Sequence, residues 1–392
     1  MQRIILYSVP FIFSSTLIIL SNDIELWMKF WSLFRIPAQT IPFGDLDFIA
    51  KATDLKEAGF NPYLENPLNI RYVYPSIWLG FFQLFNLNDL TNFRIFNFII
   101  IYIYIFIYLD LIFKFKNKYF TLILILLFFS SANLLAIERF NTDIIIFILI
   151  YLIVLLNNNY FRIPIFILAI YFKIYPLFAI FIFSRNKKIL FTMIVVSLLI
   201  LFHMKNEIMY LMKYGNEVAL NIAYGLPTLI KGMWYYSTKL GYLINDDNYR
   251  YFKYSFIFLA SLYASILVLI NFKFGEKTIL KNFNLYEKLF ICGAGIFIAR
   301  FIFFSNFDYS LIFIVFTVPY LFQIKSKKLK FVILSSLILI FYSLIFEGGN
   351  RYTFEYFSKG ILIHSIKIFV FTIMCYYFGK VLNNNLKFKF VK

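Results

Sequence analysis

Apolar runs of roughly 15–23 residues recur along the chain, each long enough at helical rise to match the hydrocarbon core of a bilayer. They fall near residues 4–20, 95–113, 119–137, 143–156, 163–184, 189–204, 251–272, 286–304, 308–323, 331–346 and 361–380. Of the 392 residues 61% are hydrophobic and only 15% charged, more apolar surface than a soluble domain of this size buries. The expected fold class is all-α: a polytopic integral membrane protein with about 11–12 transmembrane helices in one domain over 1–392. The first run, Ile4 to Leu20, follows Arg3 and is not followed by a small-residue cleavage site, so it reads as a retained signal-anchor helix.

The net charge of +18 would suit nucleic acid, but the basic residues sit between the apolar runs, and topology explains them more simply. With a cytoplasmic N-terminus and residues 72–87 not crossing, the inner loops collect 20 of the 38 basic residues. Only Asp110, Glu276 and Glu287 among the 20 acids join them. Letting 72–87 span would put "KFKNK" (114–118) outside and reverse that asymmetry. The run 163–184 is interrupted by "FKIYP" (172–176), where Lys173 is costly in lipid and Pro176 removes a backbone donor. It reads as two half-helices in a hairpin, which leaves both termini on the cytoplasmic side of a plasma membrane. Residues 21–94 then form a long outer-face region of re-entrant or interfacial helices, and 205–250 a second outer loop.

The stretch "FGDLDFIAKATDLKEAGFNPYLENPLNIRYVYPS" (43–76) carries five acids and three prolines in an otherwise greasy chain. In this topology it brings Asp45, Asp47 and Arg71 to the outer face. Glu138, Arg139 and Asp143 from "AIERFNTD", Lys173, and Arg300 and Asp308 from "ARFIFFSNFDYS" converge there too. A carboxylate at that depth can serve as general base on a hydroxyl, and cations can stabilise a departing phosphate. Plainer readings exist for several of these groups. Residues 45–59 also read as a surface helix with Gly59 as its C-cap. Glu138 and Arg139 can neutralise one another, Lys173 can snorkel, His203 and His364 suit interfacial packing, and Cys292 and Cys375 suit the core. Aromatics make up 22% of residues, alongside abundant Ile, Lys and Asn that share AT-rich codons. Their number therefore does not mark a carbohydrate platform. No phosphate-binding glycine loop, dinucleotide fingerprint, zinc-protease or nucleophile-elbow pattern is present at a usable position, and no Cys/His cluster has metal-ligand spacing.

The chain resembles the GT-C superfamily of membrane glycosyltransferases, and within it glycosyltransferase family 87 and related bacterial proteins. The likeness rests on "GDLDFIAKATDLKEAGFNPYLENP" with "YPSIW", on "ERFNTDIIIFILIYL", on "LAIYFKIYPLFAIFIF" and on "SNFDYSLIFIVFTVPYL", in that order over 43–185 and 290–321. It departs from the pattern at Ser310, where the family has arginine. The resemblance implies transfer of a sugar, typically mannose, from a polyprenyl-phosphate donor to a cell-envelope glycan or lipid-linked acceptor on the outer face. Asp45 matches the general base, with Asp47 in reserve. Arg139 and Lys173 would meet the phosphate, Glu138 or Asp143 would orient sugar or acceptor, and Arg71, Arg300 and Asp308 would line the substrate. The lipid-linked sugar is the co-substrate, and no cofactor, metal or nucleic acid is implied. A flippase or transporter of a lipid-linked glycan, and an O-antigen ligase or polymerase, are the alternatives.

Overall fold

The computed structural model describes residues 2–64, 72–214, 223–239, 246–274, 284–304, 306–343 and 354–385. Their regular structure is helical apart from one antiparallel pairing of two two-residue strands. The chain forms two compact units, residues 1–174 with 197–215 and residues 175–196 with 216–392.

The first unit runs through α1 (Gln2–Leu20), α2 (Ile24–Leu33), α3 (Gly44–Glu57), α4 (Ile77–Leu84) and α5 (Leu90–Phe115). It continues through α6 (Lys118–Phe128), α7 (Ser131–Arg139), α8 (Asp143–Leu155) and α9 (Asn159–Phe172). α10 (Lys187–His203) passes from the second unit into the first, where α11 (Lys205–Tyr214) follows at 65°. α1 packs along α5 through pairs such as Phe11–Phe98, and α8 packs against both α5 and α9. The Arg162 guanidinium donates to the carbonyls of Ile153 (2.9 Å) and Leu156, so a cation satisfies the C-terminal end of α8.

The polar stretch after the first apolar run holds three short helices of 10, 14 and 8 residues, none long enough to cross a bilayer. α3 is the expected surface helix. It ends in a Schellman motif: the Phe60 N–H donates to Leu55 O (3.0 Å) and the Gly59 N–H to Lys56 O (3.1 Å). Gly59 sits at φ +87°, which a Cβ would strain.

Three apolar runs are not single α-helices. Residues 119–137 divide into α6 and α7, inclined by 49°. At the bend Ser130 accepts from the Asn133 N–H (3.3 Å), and the Asn133 amide donates to Phe128 O (2.8 Å). The serine restarts the helix, and the freed carbonyl is satisfied by a side chain. Residues 163–184 break after Phe172, and the chain passes into the second unit as a 3₁₀ segment, Tyr175–Phe183. Residues 308–323 form a 3₁₀ segment, Asp308–Thr317, before the single turn of a later helix.

The second unit continues with β1 (Ala223–Tyr224), α12 (Leu226–Lys239), α13 (Asp246–Phe274) and α14 (Leu285–Phe303). β2 (Asn306–Phe307), α15 (Val318–Leu321), α16 (Lys327–Phe341) and α17 (Phe354–Asn385) complete it. α14 is its buried centre, and both 3₁₀ segments press on it where it lacks side chains. A Cβ at Gly293 would lie 2.5 Å from Phe313 O, and one at Gly295 would lie 2.3 Å from Phe178 O. Small residues let backbones meet here as they do between membrane helices. Cys292 and Cys375 are buried free thiols, as packing requires.

Leu90–Phe115, Asn248–Lys273 and Lys359–Asn384, 26 residues each, are long and apolar enough to cross a membrane. Among the described residues, counting each of the bent pairs α6–α7 and α10–α11 as one span raises these three candidates to five. Ile4–Leu20, α8, α9 and Asp308–Leu321 are apolar but shorter.

The close approach at α14 sets an expectation for stability. Gly293→Ala should lose about 1–3 kcal/mol through overpacking, whereas Gly80→Ala, with nothing within 4 Å of the new methyl, should not destabilise. Thermal unfolding of the purified protein in lipid nanodiscs checks the pair. A Gly293→Ala protein as stable as wild type would contradict the packing.

Candidate functional site

The polar groups of the first unit gather where α3 begins, α7 ends and α9 stops. The loop entering α3 is tied down by α7. Glu138, fully buried, accepts the Gln39 N–H at 2.7 Å and pairs with Arg139 Nε at 3.0 Å. The Arg139 guanidinium donates to Pro37 O at 3.0 Å. The two residues do neutralise each other, and as a pair they clip the 37–39 segment that delivers Asp45.

Two phenylalanines turn the chain beside that clip. Phe43 (φ 58°, ψ 37°) precedes α3 and Phe140 (φ 47°, ψ 54°) follows α7, both in the left-handed region. This costs a bulky L-residue about 1–2 kcal/mol each. Packing holds both: their rings meet edge to face at 5.7 Å, with Trp27 against Phe43 at 5.0 Å. The residues that follow, Gly44–Asp45 and Asn141, are thereby brought to face each other.

Asn141 is the hub. Its Oδ1 accepts the Asp143 N–H (3.0 Å) and the Lys173 ammonium (3.3 Å), and its amide nitrogen donates to the Asp45 carboxylate. With Oδ1 facing two donors, the amide orientation is set, and Asp45 must be an acceptor. Lys173 also pairs with the fully buried Asp143 and lies 6.0 Å from the Tyr74 ring centroid. Burial pushes the Asp45 carboxyl above the usual carboxylate range. The Asn141 hydrogen bond and the charges of Arg139 and Lys173 oppose this shift, and Asp143 adds to it.

Lys173 is held in place because α9 cannot continue. The helical partner of the Phe172 carbonyl would be the N–H of residue 176, and Pro176 has none. The indole N–H of Trp78 takes that carbonyl at 3.0 Å, while its ring stacks on Phe172 at 4.2 Å. Lys173 adopts an extended backbone (φ −156°, ψ 143°) that turns it out of the helix. It is therefore an ion-paired group, not one that snorkels.

The remaining expected site residues fall elsewhere. Asp47 is two residues from Asp45 on α3, too far round the helix to share its face, and pairs with Lys51 at 2.6 Å. Arg71 lies outside the described residues. Arg300 and Asp308 belong to the second unit. The Arg300 guanidinium stacks over Tyr175 at 4.1 Å and donates to Asn306 (3.1 Å) and to the Ser310 hydroxyl (2.6 Å). Ser310 is thus an acceptor for a neighbouring arginine. Asp308 accepts from Ser343 and from Lys367 (2.9 and 3.0 Å), and Lys367 donates in addition to Ala223 O (2.8 Å). Lys367 was not anticipated, though a lysine within the apolar run 361–380 was the signal for it. Among the described residues, no group of three or more His, Cys, Asp or Glu side chains is placed to hold a metal ion. No protein-family model, curated protein or solved structure matches the chain.

The Asp45 shift has a signed consequence. A carboxyl whose pKa is raised in the folded state stabilises the fold while protonated, and that stability is lost as pH rises through the raised pKa. Asp45→Asn should therefore be more stable than wild type at pH 7.5, and the difference should close toward pH 4. Thermal unfolding across that range tests this, and a pH-independent difference would contradict it.

Proposed function

We propose that the chain is a polytopic membrane glycosyltransferase of the bacterial plasma membrane. It moves a sugar, mannose or a close relative, from a polyprenyl-phosphate donor to a cell-envelope glycan or lipid-linked acceptor. The observation carrying this reading is Asp45, in the first turn of α3, hydrogen-bonded by Asn141 beside the Lys173–Asp143 pair. The resemblance to glycosyltransferase family 87 in the same residues supports it. So does α13, whose apolar span is only 6% buried and suits a lipid surrounding. The active site faces outward and both termini face the cytoplasm, in line with the excess of basic residues in the inner loops.

In this mechanism Asp45 removes the proton of the acceptor hydroxyl. The oxygen attacks the anomeric carbon as the bond to the phosphate oxygen breaks, inverting the anomeric centre. An elevated pKa makes Asp45 a stronger base once ionised, and Asn141 fixes its direction. Lys173, held in place by its ion pair with Asp143, neutralises the departing polyprenyl phosphate. Asn141 and the Glu138–Arg139 clip act by positioning.

Transfer of labelled sugar from a polyprenyl-phosphate donor to a crude envelope glycan, measured with protein in nanodiscs, is the direct assay. Asp45→Asn should lower the rate by about 10²–10⁴-fold and Lys173→Met by about 10²–10³-fold. Asp47→Asn should stay near wild type. Undiminished transfer by Asp45→Asn would remove it as the base, and absence of transfer from any polyprenyl-phosphate sugar would overturn the reading.

A further inference from the structure

Phe48 lies one helical turn beyond Asp45 on α3, so the two share a face. Its ring lies 6.3 Å from that of Tyr72, nearly parallel, and 6.4 Å from that of Tyr74. Tyr74 in turn faces the Lys173 ammonium. Asp45, Asn141, Lys173, Tyr74 and Phe48 therefore follow one another as neighbours, with an acid, an amide, a cation and two aromatic rings. Tyr72 behind them is fully buried, whereas Phe48, Tyr74, Tyr63 and Tyr210 keep part of their surface exposed.

A second row fixes the rings. Tyr63 meets Tyr72 edge-on at 5.1 Å and Tyr210 at 5.0 Å. The Tyr63 hydroxyl donates to Tyr74 O (2.8 Å), and the Tyr210 hydroxyl to Tyr63 O (2.6 Å). Glu207, on the same short helix α11 as Tyr210, accepts from the Ser76 N–H (3.2 Å) and the Ser76 hydroxyl.

A pyranose presents one face of C–H groups and a rim of hydroxyls. Aromatic rings pack on the first, and carboxylates and amides hydrogen-bond the second. We propose that Phe48 and Tyr74 form the platform on which the transferred sugar stacks, with its anomeric end toward Lys173 and its rim toward Asp45 and Asn141. α11 braces that platform through Tyr210 and Glu207. The inference rests on the glycosyltransferase reading for which sugar is bound, and on the placement of these rings rather than on the abundance of aromatics. It assigns specificity-determining roles to Phe48 and Tyr74, whereas Asp45 performs the chemistry.

Saturation-transfer NMR tests it, using the full chain in nanodiscs and methyl α-D-mannopyranoside as probe, with glycerol as the polyol control. In wild type the C–H protons of one pyranose face should receive at least twice the saturation of the others. Phe48→Leu and Tyr74→Leu, which keep apolar bulk but remove the ring, should each lower the signal at least threefold. Tyr74→Phe, which keeps the ring, should retain it. Signal no stronger than glycerol's, saturation even across both faces, or folded Leu variants that bind as wild type would each overturn the platform. Because even saturation is read on wild type alone, the proposal stays exposed if the Leu variants do not fold. Sugar transfer that depends on Asp45 while the Leu variants bind normally would sink the platform and leave the enzyme. Ring-dependent binding without any transfer would do the reverse.

Discussion

A lysine that follows an apolar helix must find a partner or leave, and much of the first unit is arranged around keeping Lys173 where it is. Pro176 ends α9 by withholding the N–H that Phe172 O would otherwise receive, and Trp78 takes the stranded carbonyl. Asp143 and Asn141, at the start of α8, then supply the counter-charge and the acceptor. Three segments far apart in the chain are thus joined by needs that each has in isolation: an unsatisfied carbonyl, a partly buried ammonium and a buried carboxylate. Because the ammonium and carboxylate pair in apolar surroundings, losing either would strand the other, so their placement is strongly enforced.

The same economy explains the two left-handed phenylalanines. Neither Phe43 nor Phe140 would choose that conformation alone, yet their rings meet edge to face, with Trp27 edge-on to Phe43 and Phe96 near Phe140. Backbone strain at a polar site persists only where packing over-determines it. Here it turns Asp45 and Asn141 toward each other from the ends of different helices. The Glu138–Arg139 clip to Gln39 and Pro37 serves the same end through hydrogen bonds instead of rings.

The second unit solves a different problem. α14 carries glycines on two faces, and both 3₁₀ segments lie against its backbone there. Away from that helix, Asp308 and Lys367 form a buried ion pair that also holds the β1 carbonyl of Ala223. Arg300 is taken up by Tyr175, Asn306 and Ser310. These charges act as internal ties for strand, 3₁₀ segment and helix.

Composition and periodicity alone determine that the chain is helical, that its apolar runs sit near the observed helices, and that residues 43–76 interrupt them with a polar surface helix ending at Gly59. They also single out Asp143 and Lys173, because charges at the edges of apolar runs are conspicuous wherever they point. Asp45, by contrast, is preferred among the acids of the polar stretch only by the resemblance to glycosyltransferase family 87. Tertiary structure alone decides which charges meet. Asp45 and Asp47 are equal in sequence, but helical geometry turns only Asp45 toward Asn141 while Asp47 pairs with Lys51. Glu138 and Arg139 look like ligands for substrate until the loop they clip is seen. Asn141 and Trp78 become essential only once another segment presents a donor without an acceptor, or an acceptor without a donor. Local sequence carries helix formation because its hydrogen bonds close within four residues. The site depends on bonds that span about a hundred, and those exist only after folding has brought the ends together.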